Sequence, residues 1–517
     1  MSGRLVIVSH RVPLHAGAEA SGIPAMAGVD LSEHEGEPAL WFGWSGRISQ
    51  VPHSVISIRR ERTLTRVGID LNASQYEGHL NGFANGTLWP LFHDLTARAR
   101  FNPDDLAVYR AVNGLFAARL TPMLRPDDRI WIHDYHLIPL GWMLRQAGIR
   151  AAIGFYLHVP FPPADTLLAV PWRRKLAEDL AAYDFVGVQT RRDQANFHEF
   201  MRRARRGLAA KWVGSRPAAL PVAEVLPVSI ATRKAMAAAA SPDAGEQAVR
   251  FSHCLNSRRI IIGADRLDYT KGLIERFRGY ERLLAETPEL HRQVSLVQVT
   301  APSRSLVPGY LELRAEQKAL AQRINERFST PGWMPVYDVY GSLGAGALAS
   351  LFRASRVGLM TPVRDGINLT AKEFVAAQDP ADPGVLVLSR FAGAAEMLSE
   401  ALLVDTADPG RVADAVRTAL AMKLGERQDR WRRMIVKLLH NDAQWWHHSF
   451  LSGLSQAHRQ AVARETSRAD TASSAIDTAS LPPVQGQRRR NGESLERLAG
   501  RPVPLPQTSL PWPDPAL

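Results

Sequence analysis

Short, bare apolar runs, each closed by a polar loop and followed by a stretch of helical period, recur along this chain. Arg4 to Val8 (RLVIV), Arg129 to His133 (RIWIH), Ala152 to Leu157 and Asp184 to Thr190 carry the pattern in the first half. Ile260 to Gly263, Val294 to Val299, Val336 to Val339, Val357 to Met360 and Gly384 to Leu388 carry it in the second. Apolar runs without polar alternation are strands buried on both faces, and strands alternating with helices form parallel sheets. The predicted fold class is therefore α/β, with two Rossmann-like doubly wound domains facing a cleft.

Between the halves the pattern loosens. Ala209 to Pro227 and Ala235 to Gly245 are rich in Ala, Pro and Gly, which predicts a domain boundary near residue 245. The expected division is a first domain of 1–245, a second of 246–463 that includes a terminal helix, and a tail of 464–517. The aromatics of QWWHHSF, within a helical stretch of about Arg427 to Arg459, are expected to dock that helix onto the domains. Beyond Arg464 the chain turns to Ser, Thr, Ala, Pro and Arg without periodicity, and disorder is expected there.

Bulk properties narrow the function classes. A length of 517 residues suits two large domains, and 45% hydrophobic content with 12 Trp suits sizeable cores. The single cysteine, Cys254, excludes an internal disulfide, fits a reducing cytoplasm and gives no support to a structural zinc site. The apolar start is too short for a signal peptide, and no run reaches the ~20 apolar residues of a membrane span. A net charge of +12 raises nucleic acid as a partner. The basic residues, however, mostly alternate with acids; only Arg202 to Arg206 and Arg488 to Arg490 cluster, and no nucleic-acid motif accompanies them. A basic cleft for phosphorylated small molecules accounts for part of the excess.

The strand ends hold the candidate chemistry, because ligands of open α/β sheets sit outside the carboxyl ends of the strands. IIIGADRLDYTKG (Ile260 to Gly272) places Arg266 and Lys271 there, two cations beside a helix start that could hold an anion, or a solvated loop with a surface Arg and Lys. Arg11 ends the first strand. The loop after it, Ala16 to Gly28, lacks GxGxxG spacing and is no dinucleotide fingerprint, though as a loop it could still offer backbone N–H groups. Leu40 to Gly46 (LWFGWSG) pairs two Trp with turn glycines, fit for a sugar face or for core packing. Asn81 to Asp94 reads as a second Trp-centred turn at Trp89 and Pro90, leading into a helix up to about Leu120. Asp134, between His133 and His136, suits hydroxyls better than a metal, since no further ligands of defined spacing are visible. His158, on a Pro-rich turn, suits polar recognition or proton handling, or is a satisfied structural residue. Arg304 follows VSLVQVTAPSR, and Asp365 and Glu373 follow the next strand in TPVRDGINLTAKE, as sugar ligands or as helix caps.

FGWSG, NGFANGTLWPLFH, IWIHDYHLIPL, GFYLHVPFP, GADRLDYTKG, TAPSR and TPVRDGINLTAKEFVAAQDP, in that order between about Leu5 and Trp446, carry a resemblance. Together they resemble the retaining glycosyltransferases of the two-Rossmann-domain type that make trehalose-6-phosphate from UDP-glucose and glucose-6-phosphate. The resemblance implies that Arg266 and Lys271 hold the donor diphosphate. Glu373 would hold the donor ribose, Leu369, Thr370, Ala371 and Lys372 would line the nucleotide pocket, and Leu343 would meet the base. Asp365 and His158 would bind hydroxyls of the transferred glucose, so His158, Arg266, Lys271 and Asp365 form the implied catalytic set. Arg11, Trp89 and Arg304 would hold the acceptor phosphate end, Asp134 the acceptor sugar, and Trp44 would line the cleft. No metal or cofactor is implied, and a homo-oligomer is expected. Two positions depart from the family. Leu80 stands where the family has a Tyr for the acceptor phosphate, and the Gly pair of the first loop reads Ser21-Gly22. Transfer to another, anionic acceptor and a catalytically silent sugar-phosphate-binding regulator are the alternative readings.

Overall fold

The computed structural model describes residues 3–14, 39–50, 56–61, 63–205, 220–255, 259–303 and 308–477. The first sheet is built from β1 (Leu5–Arg11), β2 (Ala39–Ile48), β3 (Ile56–Arg60), β4 (Leu64–Leu71), β5 (Arg129–His133), β6 (Ala152–Tyr156), β7 (Phe185–Val188) and β8 (Val222–Val225). Their order is β3-β4-β2-β1-β5-β6-β7-β8, with β3 the antiparallel edge and every other pair parallel. The second sheet is parallel throughout: β9 (Arg259–Arg266), β10 (Val294–Ala301), β11 (Val336–Tyr340), β12 (Ser355–Met360), β13 (Val385–Ser389) and β14 (Leu402–Val404), ordered β11-β10-β9-β12-β13-β14.

The bare apolar runs have their expected cause. Val6 and Val8 face one core while Leu5 and Ile7 face another. Ile260 and Ile262 likewise split from Ile261 in the second sheet. Both faces are covered along these inner strands, so no polar position alternates along them. In each sheet the winding reverses beside its first strand, giving one switch point between β1 and β5 and another between β9 and β12. Ligand crevices of doubly wound sheets open at such points.

Two stretches differ from the expectation. LWFGWSG is strand β2, and the aromatic turn around Trp89 is helical: Ala73–Tyr76, a π-helical run over Glu77–Leu88, then Trp89–Phe92. Asn72 and Gln75 cap its start reciprocally. Gly and Asn make Glu77–Leu88 a poor helix by propensity. Phe83, Ala84 and Leu88 nonetheless bury against Tyr109, Val112 and Phe116 of helix Pro103–Leu120, and that packing overrides propensity.

The chain crosses between the sheets through residues 226–231. Helices Thr232–Ala239 and Pro242–Cys254 then give Ala239 and Leu255 to the second core. Helix Ala443–Asp477 returns to the first sheet, where Trp446, Phe450 and Leu454 join Trp131, Tyr156 and Phe185 in one core. Phe450 stacks on Trp131 with ring centroids 4.3 Å apart. Met1–Glu465 is one compact unit and Thr466–Leu517 a second; the disorder expected beyond Arg464 is corrected as far as Asp477, where helix Ala443–Asp477 continues, and the rest of that expectation lies outside the described residues. No helix among the described residues is long and apolar enough to cross a membrane.

Candidate active site

The second sheet shapes its switch point with side chains that fold the loops back on themselves. After β9, Asp268 Oδ1 accepts the Thr270 N–H (3.0 Å) and hydroxyl (2.9 Å), which winds Tyr269–Lys271 into a tight turn. Gly272 closes that turn at φ +62°, where a Cβ would stand 1.8 Å from the Thr361 carbonyl oxygen. Only glycine permits both the left-handed backbone and the close approach. The loop is thereby pressed onto the end of β12, and Lys271 Nζ donates to Asp365 Oδ2 at 2.5 Å. Asp365 also accepts from the Ile367 N–H (3.3 Å) and Asn368 Nδ2 (3.2 Å). Burial alone would push its carboxyl up; the Lys271 ammonium outweighs burial and holds it below the usual carboxylate range. Asp365 is therefore a fixed anion.

Asn368, left-handed at φ +63°, caps helix Leu369–Ala377 by accepting the Ala371 N–H at 3.0 Å. The half-buried Leu369 and Thr370 open that helix, with buried Ala371 behind them. Burial pushes the Glu373 carboxyl up, and among the described residues it has no hydrogen-bond or ion-pair partner. Lys372 is 1% exposed, and its ammonium donates to the Val228 carbonyl in the crossover between the sheets. Its side chain thus ties this helix to the crossover, which leaves its backbone to line a pocket. Leu343 lies half-buried against the second core.

Burial lowers Lys372 from 10.5 to about 7. Its folded value lies below its unfolded one, so between them the unfolded chain binds the extra proton, and stability from this residue rises with pH. Relative to Lys372→Met, the native chain is expected to gain stability as pH rises from about 7 toward 10. Denaturant midpoints of both proteins at the two ends of that window check this; a constant gap removes the assignment.

The first sheet presents its own switch point. The Arg11 guanidinium lies 5.8 Å from the Trp44 ring. Trp44 is buried, its Nε1–H donating to the Arg47 carbonyl at 2.9 Å. Asp134, at the end of β5, has φ 73° and ψ 164°, a region nearly reserved for glycine that costs on the order of 1–3 kcal/mol. Its carboxylate repays the strain with position: Oδ1 accepts the His158 N–H at 3.2 Å, and Oδ2 lies 3.8 Å from His136 Nδ1. His158 shares a hydrogen bond with His133 at 3.0 Å, and burial pulls it down to about 3, so the pair stays neutral at ordinary pH. Leu80 is half-buried on the π-helical run, and Trp89 is buried at its end.

The two switch points meet. Arg266, exposed at the end of β9, sits over the Trp89 ring at 5.9 Å, and Arg98 sits over Tyr269 at 4.9 Å. A Cβ on Gly366 would lie 2.7 Å from the His158 carbonyl oxygen, so the Asp365 loop abuts the His158 turn backbone to backbone. Arg364 and Asp94 pair across the same seam at 3.8 Å. From there a line of contacts runs back through Asp134, His136 and His10 to Trp44 and Arg11; His10 stacks on His136 at 4.7 Å and lies 5.5 Å from Trp44. Arg266, Lys271, Asp365, Trp89, His158, Asp134, Trp44 and Arg11 thus border one contiguous region. Gly22 and Arg304 lie outside the described residues. No cluster of three or more His, Cys, Asp or Glu among the described residues is placed to hold a metal.

Two residues that the sequence reading passed over border this region. His93 is buried beside Trp89 at 4.1 Å, donates its Nδ1–H to the Trp89 carbonyl at 2.8 Å, and feels the charges of Asp268, Asp365 and Lys271. Tyr76 packs on Trp44. One helical turn separates His93 from Trp89, a spacing that reads out only once the segment is known to be a helix.

A sequence model of glycosyltransferase family 20 matches residues 16–456. The chain belongs to that family. The trehalose-6-phosphate synthase of Sinorhizobium fredii is 40% identical over 459 residues, covering 87% of this chain and 98% of the relative. Among solved structures, an alpha,alpha-trehalose-phosphate synthase (UDP-forming) from Burkholderia xenovorans, in complex with glucose-6-phosphate, is 38% identical with a TM-score of 0.82, covering 87% of this chain and all of that one. An E. coli structure bound with UDP-2-fluoro glucose is 37% identical with a TM-score of 0.80, covering 88% of this chain and 99% of that one. The two Rossmann-like domains read from the strand pattern, and the glycosyltransferase type that the resemblance implied, are the architecture of these family members.

Proposed function

We propose that this family 20 enzyme transfers glucose from UDP-glucose to glucose-6-phosphate, giving α,α-trehalose 6-phosphate and UDP with retention at the anomeric carbon. The observation that carries the reading is the meeting of the two switch points: Lys271, held on the buried Asp365 carboxylate, and the exposed Arg266 from one sheet face neutral His158 and Trp89 from the other. Arg266 and Lys271 take the donor diphosphate, where fixed cations stabilise the charge that grows on the leaving group. The start of helix Leu369–Ala377 and Glu373 take the nucleoside, with Leu343 at the base. Asp365 and neutral His158 take hydroxyls of the transferred glucose. Arg11, Trp89 and Arg304 take the acceptor phosphate end, Asp134 its sugar, and Gly22 the donor from the first loop.

A front-face route, in which the leaving phosphate accepts the acceptor's proton, asks least of these residues. Asp365 is held by three donors, Lys271, Ile367 and Asn368, which favours a fixed anion over a nucleophile that must swing onto carbon. A cytoplasmic setting, supported by the single Cys254, and self-association belong to the same reading. Leu80 favours one second reading, transfer to a different acceptor, because an apolar side chain supplies no hydrogen bond to a phosphate. An acceptor screen with UDP-glucose, following UDP release, separates them. Release with glucose-6-phosphate supports the main reading, and release only with another sugar phosphate supports the second. Tight UDP-glucose binding without turnover on any acceptor points to a silent regulator.

A further inference from the structure

We propose that Tyr76 is a further acceptor-side residue, its phenol O–H joining Arg11 to hold the anionic end of the acceptor; the inference rests on the reading above. Trp44 is the link. One side of its ring faces the Arg11 guanidinium at 5.8 Å, and Tyr76 lies against it at a centroid distance of 5.4 Å. Trp44 is itself fixed, buried and hydrogen-bonded to the Arg47 carbonyl, so the two groups are held on a rigid aromatic spacer within β2. The Arg11 guanidinium packs against Gly46, where a Cβ would stand 2.7 Å from Nε, so the glycine leaves the room it occupies.

Tyr76 has the exposure a ligand contact requires. It is half-buried at the last residue of the short helix Ala73–Tyr76, and the π-helical run starts with the next residue. Its ring edge is anchored while the hydroxyl end reaches the Asn81 side chain, itself tied to Glu77 at 2.9 Å. Burial and then Glu77 push the phenol up from its ordinary value, against the pull of Arg11, so it stays protonated, and a donor, at neutral pH. A neutral donor beside a fixed cation recognises an anion by charge and by direction together, and hydrogen bonds to charged groups are the strong ones. Leu80, further along the same helical segment, has no polar atom to offer; Tyr76 has one, near enough to Arg11 to feel its charge.

Tyr76→Phe keeps the ring on Trp44 and removes only the hydroxyl. The expected result is a KM for glucose-6-phosphate raised roughly tenfold, with kcat and the KM for UDP-glucose changed by less than about twofold and the melting temperature unchanged. Calorimetric binding of glucose-6-phosphate should weaken by the same factor. A variant with the native KM for glucose-6-phosphate, in a background where the native enzyme turns that sugar over, overturns the inference and leaves the proposed reaction standing. A native protein that neither binds nor glucosylates glucose-6-phosphate overturns both. A melting temperature that falls along with the affinity assigns Tyr76 to packing and also overturns it.

Discussion

Arg266→Ala is expected to lower kcat by about a hundredfold to a thousandfold while the protein melts at its native temperature. The two halves of that statement have separate causes. Arg266 ends β9 exposed, with no ion pair among the described residues and only the Trp89 ring beneath it. A cation–π contact at an exposed site is worth about 0.5–1 kcal/mol, too little to move the melting point far. Catalytically the same side chain stands at the switch point where the diphosphate departs. Removing one preorganised donor from a site of growing negative charge costs about 2.7–4 kcal/mol of transition-state stabilisation. Lys271 cannot make up the loss, since its ammonium is already 2.5 Å from Asp365. Arg266→Lys should recover only part of the rate, because a point charge replaces a fork that can grip two phosphate oxygens. Single-turnover kinetics with UDP-glucose, beside a melting curve, make the test. Turnover near the native rate would take Arg266 out of the donor site; a large drop in melting temperature would make the residue structural.

The strand ends were readable because the physics that buries a parallel strand is local and one-dimensional. A bare apolar run reports burial on both faces, and its last residue reports where the crevice opens. Arg11, Asp134, Arg266 and Asp365 follow from that rule before any coordinate is known. The pairings were not readable in the same way. That Lys271 meets Asp365, 94 residues away, depends on β9 and β12 being neighbours, and strand order is a property of the whole sheet. Lys372 illustrates the other limit. Its place on the helix at the switch point is legible, but its ammonium is drawn 144 residues back to the Val228 carbonyl because the crossover passes beneath that helix. The π-helical run escaped for a third reason: Gly78, Asn81, Gly82, Asn85 and Gly86 are turn residues by propensity, and only the packing of Phe83 and Leu88 on helix Pro103–Leu120 makes them helical. His93 and Tyr76 went unread with it, since both owe their position to that segment.

Lys271→Met should be the most destabilising single change at the site, and its pH dependence should reveal why. Lys271 and Asp365 have side chains only 13% and 9% exposed. Removing one partner of such a pair leaves a buried charge uncompensated, which typically costs about 3–5 kcal/mol. In the native protein the Asp365 carboxyl is held below its unfolded value. Its contribution is therefore present above the unfolded pKa, about 3.9, and is lost only as pH falls through the lower folded value. Without the ammonium the sign reverses. Burial then has nothing to oppose it, the folded carboxyl rises above the unfolded one, and folding favours the protonated form. The stability gap between native and variant should be widest near neutral pH and should narrow as the pH is lowered toward about 4. Adding Asp365→Asn to Lys271→Met removes the stranded charge while keeping an acceptor oxygen for the Ile367 N–H. The double variant should regain most of the lost stability and none of the turnover, because both the diphosphate cation and the sugar-binding anion are gone. Urea midpoints of the native protein, Lys271→Met, Asp365→Asn and the double variant across that pH range complete the cycle. A gap that does not change with pH, or a double variant no more stable than Lys271→Met, would mean that the pair does not hold Asp365 ionised and that the donor side of the site has been misassigned.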